Sequence, residues 1–144
     1  MSCKQSPEYI VDVDPAKVPV VMIADDDDGI RETLTRFLKM SGYLVLVASD
    51  GLEAVSLFNS KKDIIDICLI DLNMPELDGA SCVRQIRECS VATPILLMTG
   101  EDEEFDLPES LNDEIEMRFT KPFDWGILLE RISEILAIQK SCTQ

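Results

Sequence analysis

The feature that most constrains this chain is a regular alternation, starting at residue 19, between short apolar runs and segments of helical periodicity. The five runs are PVVMIA (19–24), YLVLVA (43–48), IDICLID (65–71), PILLMT (94–99) and EIEMRFT (114–120). Four of them are rich in valine, isoleucine and leucine, which is typical of strands buried on both faces of a parallel sheet. The fifth run alternates polar and apolar residues, so it suits an edge strand with one wet face.

The segments between the runs carry apolar residues at helical spacing. This spacing predicts helices over 28–40, 50–59, 78–89 and 124–138, with Asp50 as the cap of the second. The helical signal over 101–112 is the weakest, because that segment is very acidic and Pro108 should break a helix there. Strands that alternate with helices predict a doubly wound α/β sheet, which binds ligands beyond the carboxyl ends of its strands.

Composition excludes several classes of function. The chain has 28 acidic residues, 13 Lys and Arg and no histidine, for a formal net charge of −15. Such a charge repels nucleic-acid phosphates, so we expect no direct nucleic-acid binding. We find no membrane-length apolar run and no secretory signal, so we expect a cytoplasmic protein without a membrane contact. The five cysteines, an odd number without C-x-x-C spacing, should be reduced thiols, with Cys68 in the core.

Polar residues gather where the predicted strands end. The first strand ends in Asp25-Asp26-Asp27-Asp28, the third in Asp71, the fourth in Thr99 and the fifth in Lys121-Pro122. If the first and third strands are neighbours, their backbones lie about 4.8 Å apart, and Asp25, Asp26 and Asp71 converge. Two carboxylates about 4 Å apart repel by roughly 4 kcal/mol at an effective dielectric of 20. A hard divalent cation, best Mg²⁺, together with Lys121 would relieve that repulsion.

A metal, a lysine, a hydroxyl and a carboxylate form a set that suits phosphoryl transfer, because that chemistry needs charge neutralisation and positioning more than a base. A carboxylate can itself be the nucleophile and form an aspartyl phosphate. Each residue alone also has an ordinary explanation, such as a helix cap, a solvated turn or a surface lysine. Their shared position at the carboxyl ends of one sheet favours the functional explanation.

These residues resemble the response-regulator receiver family of two-component signalling, of the chemotaxis-regulator type, over residues 19 to about 138. The resemblance is carried by VVMIADDDDGIRETL, DICLIDLNMPELDG, LLMTG and TKPF. It implies a five-stranded flavodoxin-like sheet in the order 2-1-3-4-5 with helices on both faces. We expect one receiver domain over 19–140, a flexible arm over 1–18 and a tail over 141–144.

The resemblance also implies a role for each site residue. Asp71 would accept a phosphoryl group from a sensor histidine kinase or a histidine phosphotransfer protein. Asp26 would bind Mg²⁺ directly and Asp25 mainly through water, alongside Asp71 and the backbone carbonyl of Asn73. Thr99 and Lys121 would hold the phosphoryl oxygens, and the Lys121-Pro122 bond would be cis. The domain would catalyse only its own phosphorylation and dephosphorylation, and would signal to a downstream protein or output domain through a conformational change.

Two departures from the family pattern concern the face that signals to partners. The family usually has an aromatic residue three positions before the lysine, where this chain has Arg118. It also tends to have small residues before the fifth strand, where this chain has Leu111-Asn112-Asp113-Glu114. Burying an unpaired guanidinium is costly, so we expect Arg118 to point outward and to pair with an acid of 101–106.

Other functions remain open. A haloacid-dehalogenase-type phosphatase would use Asp26-Asp27-Asp28-Gly29 as its D-x-D motif, but it leaves Asp71 and MPELDG unexplained. A receiver that only binds partners would keep the fold and fail to react with acetyl phosphate. Since few residues follow the last predicted helix, the chain is expected to be a stand-alone receiver or a segment of a longer regulator.

Overall fold

The computed structural model describes residues 18–100, 111, 113–122 and 124–142, in which five parallel strands form one sheet. The strands are β1 (Val20–Ala24), β2 (Leu44–Ala48), β3 (Ile67–Asp71), β4 (Ile95–Thr99) and β5 (Met117–Thr120). Their order in the sheet is β2-β1-β3-β4-β5. The predicted doubly wound, flavodoxin-like arrangement is therefore confirmed.

The described residues contain four long helices. These are α1 (Asp28–Met40), α2 (Gly51–Lys61), α3 (Gly79–Cys89) and α4 (Trp125–Cys142). The helix predicted over 101–112 falls outside the described residues, apart from Leu111 and Asp113. The last helix continues to Cys142, four residues beyond the end that its apolar spacing predicts.

Aspartates begin all four of these helices. The side chains of Asp27, Asp50, Asp78 and Asp124 each accept a hydrogen bond from the backbone N–H three residues later. Each carboxylate thereby satisfies one of the N–H groups that the first turn of a helix leaves unpaired. α1 begins four residues after the end of β1, and α3 begins eight residues after the end of β3, the two strand ends that carry the candidate site.

The sheet separates two apolar cores, because successive residues of a strand point to opposite faces. One core joins alternate residues of β1, β3 and β4 to α2 and α3, with Phe58 and Val83 among its buried members. The other joins the intervening strand residues to α1 and α4, through Leu34 and Leu128. Helices therefore cover both faces of the sheet, as predicted.

The strands differ in burial according to their place in the sheet. β1, β3 and β4 are buried along their whole length, as predicted. The prediction that β2 is also buried on both faces is wrong, since Leu44 is 54% exposed and Val47 44%. Within the described part of the chain, β2 is an edge strand whose one neighbour in the sheet is β1. β5, the other edge, buries Phe119 and exposes Arg118, which fits the predicted wet face.

The thiols and the two ends of the chain were also the subject of predictions. Cys68 and Cys82 are buried free thiols and Cys89 is an exposed one, in agreement with the expected reduced state. The expected arm over 1–18 lies outside the described residues, apart from Val18, and so do residues 143 and 144. Within the part of the chain that the structure describes, no helix is long and apolar enough to cross a bilayer.

Candidate functional site

The carboxyl ends of β1 and β3 bring three carboxylates together. Ala24 is opposite Ile70 in the parallel register, so the residues that follow, Asp25 and Asp71, lie side by side. Ligand oxygens of Asp25, Asp26 and Asp71 all lie within 4.8 Å of one another. Asp25 is fully buried and Asp71 nearly so, whereas Asp26 is exposed. The predicted convergence of these three aspartates is therefore observed.

Lys121 places a positive charge between the two buried carboxylates. Its Nζ lies 3.1 Å from Asp25 Oδ2 and 3.1 Å from Asp71 Oδ1. Partial burial works to lower the pKa of Lys121, but the charges of Asp71 and Asp25 outweigh this and raise it, so the lysine stays protonated. The backbone N–H of Lys121 donates to the Thr99 carbonyl, and the Lys121-Pro122 bond is cis, as the resemblance implies.

The pKa of Asp71 is also raised, but for a carboxyl group this favours the neutral form. Burial, followed by the neighbouring charge of Asp25, raises the pKa of Asp71 to about 7, although Lys121 partly lowers it. A carboxyl group with such a pKa is difficult to ionise without a further cation. The site therefore holds more negative charge than its single lysine can neutralise.

Thr99 ends β4, the strand next to β3, and its hydroxyl is unusual. The residue is fully buried, and its Oγ1 has no hydrogen-bond partner among the described residues. A buried hydroxyl without a partner costs free energy, and most buried polar groups have one. This hydroxyl is therefore available to a group that enters the site.

Backbone contacts hold Asp25 in position. Its Oδ1 accepts from the N–H of Asp27 at 2.9 Å, and its carbonyl accepts from Arg31 Nη1 at 2.8 Å. Arg31 also pairs with Asp28 in the first turn of α1. Arg31 was not among the predicted site residues, although its position three residues after Asp28 on a helix is a recognisable signal for the pair that they form.

The loop after Asp71 packs closely against the end of β3. A methyl group built on Gly79 would lie 2.4 Å from the carbonyl oxygen of Asp71, far inside van der Waals contact. The N–H of Gly79 donates to the Leu72 carbonyl at 2.7 Å, which closes the loop. The side chain of Asn73 is exposed in this loop. The role of its carbonyl in binding metal stays a prediction.

A doubly wound domain with an acidic cluster and a lysine at the carboxyl ends of its strands is the arrangement that the receiver resemblance implies. The family model described as "Response regulator receiver domain" matches residues 21–133. The chain therefore belongs to the response regulator receiver domain family. This membership decides against the phosphatase alternative.

Individual relatives agree with this membership. The alkaline phosphatase synthesis transcriptional regulatory protein PhoP of Bacillus subtilis is 35% identical over 116 residues, which cover 81% of this chain and 48% of that protein. The response regulator MprA of a Mycobacterium species is 34% identical over 116 residues, which cover 81% of this chain and 50% of that protein. The chain thus spans about half the length of these relatives.

Solved structures show the same fold. A Francisella response regulator receiver domain has a TM-score of 0.72 and 31% identity, covering 88% of this chain and 99% of that one. The Vibrio cholerae chemotaxis protein CheY4 has a TM-score of 0.73 and 29% identity, covering 81% of this chain and 98% of that one. A receiver domain from Clostridium thermocellum reaches a TM-score of 0.81 at 22% identity, covering 87% of this chain and 99% of that chain, and supports the fold alone.

Proposed function

We propose that this domain is a cytoplasmic phosphoacceptor in which Asp71 takes a phosphoryl group from a sensor histidine kinase or a histidine phosphotransfer protein. The phosphorylated form then signals to a downstream protein or an output domain through a conformational change. The observation that carries the proposal is Lys121, whose ammonium group contacts both Asp71 and Asp25 at 3.1 Å. A surface lysine with an ordinary role would not be directed into a buried acidic pair.

The transfer itself makes Asp71 the nucleophile. One of its carboxylate oxygens forms a bond to phosphorus, while the bond between phosphorus and the donor's imidazole nitrogen breaks and the imidazole keeps the electron pair. Asp71 must be ionised to attack, and Lys121 favours that state. The charge developing on the transferred group demands positive charge around it more than it demands a base.

Receiver domains generally use Mg²⁺, and the donor set at this site fits such an ion. Hard divalent cations prefer carboxylate oxygens and water, and Asp25, Asp26 and Asp71 offer three carboxylates within 4.8 Å of one another. In our proposal Asp26 and Asp71 bind the ion directly, Asp25 binds mainly through water, and Asn73 adds its backbone carbonyl. When bound, Mg²⁺ neutralises negative charge on Asp71 and on the phosphoryl oxygens.

Thr99 and Lys121 would hold the phosphoryl group once it is attached. Lys121 can keep an ion pair with a phosphoryl oxygen in place of its contact with Asp71. The Thr99 hydroxyl lacks a partner in the described structure, so a phosphoryl oxygen would give it one. Because Thr99 ends β4, this new bond offers a route by which phosphorylation at β3 changes the neighbouring strand.

Acetyl phosphate with Mg²⁺ tests the proposal. Mass spectrometry should find one added phosphoryl group that hydroxylamine removes, and Asp71→Asn should abolish it. The matched control is Asp63→Asn, which also removes one aspartate, from an exposed turn, and leaves the three-carboxylate cluster intact. Labelling that persists in Asp71→Asn would place the acceptor elsewhere. A wild-type chain that reacts neither with acetyl phosphate nor with a phosphorylated histidine donor would instead be the receiver that only binds partners.

A further inference from the structure

The outer edge of β2 presents backbone groups that no strand of the described residues pairs with. The N–H of Leu44 donates to the Pro19 carbonyl at 3.0 Å, and the Ala48 carbonyl accepts from the N–H of Asp25 at 3.2 Å. In a parallel ladder the N–H and C=O of one residue point to the same side, and the side alternates along the strand. Leu44 and Ala48 therefore face β1, whereas the N–H and C=O groups of Val45 and Val47 face the open edge.

A groove runs beside this edge, between β2 and α1. Its volume is about 490 Å³, and it is lined by Arg31, Glu32, Thr35, Arg36, Lys39 and Val47. Val47 is 44% exposed there, so the groove offers apolar surface next to the free backbone groups. A natural edge strand usually blocks such an edge with charges or proline, and β2 (Leu44–Ala48) carries neither.

The charge of the groove is opposite to that of the whole chain. The formal net charge of the chain is −15, yet the groove has three basic residues and one acid. Arg31 is occupied by Asp28, but Arg36 and Lys39 are exposed and form no ion pair within the described residues. Both lie in the second half of α1, which is the half nearer the amino end of the sheet.

We propose that the open edge of β2 binds an extended acidic segment of a partner protein, which adds to the sheet as a sixth strand. Main-chain hydrogen bonds to Val45 and Val47 would supply the pairing, as in other cases of strand addition. Side chains two residues apart in that segment would lie on one face, about 6.8 Å apart. Carboxylates at those positions would contact Arg36 and Lys39. The intervening apolar residues of the segment would lie on the opposite face of the sheet, on the α2 side near Leu44.

A short peptide of alternating valine and aspartate is the probe, added to the full chain labelled with ¹⁵N. We expect amide exchange at Val45 and Val47 to slow by on the order of 100-fold when the peptide is present at about 100 times its Kd. The amides of Leu44 and Leu46 point at β1, so they provide an internal control and should change little. A peptide N-methylated on the residues that face β2 should not bind, whereas one methylated on the intervening residues should.

Charge reversal tests the specificity. The double variant Arg36→Glu with Lys39→Glu should bind the aspartate peptide about tenfold more weakly and should prefer a valine and lysine peptide. Arg84→Glu, an exposed change on α3, is the matched control and should bind as the wild type does. Equal binding of both peptides to the wild type, or slowed exchange elsewhere than at Val45 and Val47, would overturn the proposal. Binding that appears only after residues 1–16 are removed would also overturn the proposal, because it would mean that the chain's own amino-terminal sequence occupies the groove.

Discussion

The ammonium nitrogen of Lys121 lies 3.1 Å from a carboxylate oxygen of Asp71. This contact joins the end of β5 to the end of β3 across the intervening strand β4. Asp25 shares the same ammonium group, and Asp26 adds a third carboxylate at the exposed side. One positive charge therefore faces three negative ones, and this surplus governs how the metal-free domain should respond to pH and to mutation.

The first prediction concerns the stability of the metal-free domain. Asp71 has a pKa of about 7 in the folded chain against an ordinary 3.8, so the folded state binds more protons than the unfolded state between these values. The free energy of unfolding should therefore fall as the pH rises from about 4 to about 7. Asp71→Asn should flatten this slope and stabilise the domain at pH 7 by about 1–2 kcal/mol, an amount reduced by the water that reaches the site.

Urea unfolding in EDTA over this pH range measures the effect. Asp63→Asn is the control, because Asp63 is an exposed turn residue, and it should keep the wild-type slope. An Asp71→Asn variant that is less stable than the wild type at pH 7 would mean that its lysine contact outweighs the repulsion.

The second prediction concerns the metal. Asp26→Ala removes the exposed carboxylate of the cluster, so Mg²⁺ affinity should fall at least about tenfold even though repulsion on Asp71 decreases. Backbone NMR titration with MgCl₂ measures it at the ends of β1 and β3. Asp63→Ala, which removes an exposed aspartate away from the cluster, is the control and should bind as the wild type does. If Asp26→Ala shows the same Mg²⁺-dependent changes in chemical shift as the wild type, Asp26 is not a ligand.

The third prediction uses the unpartnered hydroxyl of Thr99. Thr99→Val replaces it with a methyl group of similar size, so the unphosphorylated domain should gain about 1 kcal/mol of stability. The same variant should lose the changes that the phosphoryl mimic beryllofluoride causes around β4 in the wild type. Thr99→Ser keeps a hydroxyl and should retain them. A Thr99→Val domain that is destabilised and still responds fully would contradict the proposed role.

The fold was predictable because its periodicities are strong and consistent with one another. The boundaries of α1, and the sheet order implied by the motifs, agree with the structure. The burial of β2 was misjudged because an edge strand and a central strand of a parallel sheet can carry the same valines and leucines. The two are distinguished by a tertiary property, the place of β2 at the end of the sheet that the described residues form.

The site was predictable as a set of residues, since the carboxyl ends of neighbouring parallel strands must meet. Its supporting contacts were not. At the site, Arg31 donates to the Asp25 carbonyl. At the amino ends of β4 and β5, away from the site, Arg87 donates to the carbonyls of Ser90, Thr93 and Glu114. The spacing of Asp28 and Arg31 predicts their ion pair, but a carbonyl acceptor has no residue-type signal, so the bond from Arg31 to Asp25 was not predictable. The bond from Arg87 to Glu114 joins residues 27 apart and depends on the fold.

The fourth prediction concerns Gly79. Gly79→Ala would place a methyl group 2.4 Å from the Asp71 carbonyl oxygen, so the backbone at the acceptor must shift. We expect a loss of about 2–4 kcal/mol in stability and a several-fold slower reaction with acetyl phosphate. Gly29→Ala is the matched control, because its nearest contact would be a side-chain oxygen of Asp27 at 3.3 Å. Equal stability and rate for the two variants would show that the loop adjusts without moving Asp71.

Arg118 occupies the position where the receiver family usually has an aromatic residue that turns inward on activation. The residue is exposed on the edge strand β5, in agreement with its expected outward orientation. The acids of 101–106 that were expected to pair with it lie outside the described residues. A guanidinium would have to lose its water to enter the buried space beside Thr99, which makes an inward position costly.

The last prediction is therefore that Arg118 stays outside in the activated domain and serves the surface that a partner contacts. Arg118→Ala should leave the rate of Asp71 phosphorylation within about twofold, because an exposed charge pair contributes only about 0–1 kcal/mol. The same change should weaken binding to a downstream partner by up to about fivefold, or alter its dependence on phosphorylation. Arg84→Ala on α3 is the control for a general loss of positive charge. Crystal structures with and without beryllofluoride decide the matter, and an Arg118 side chain buried against Thr99 in the activated form would refute the prediction.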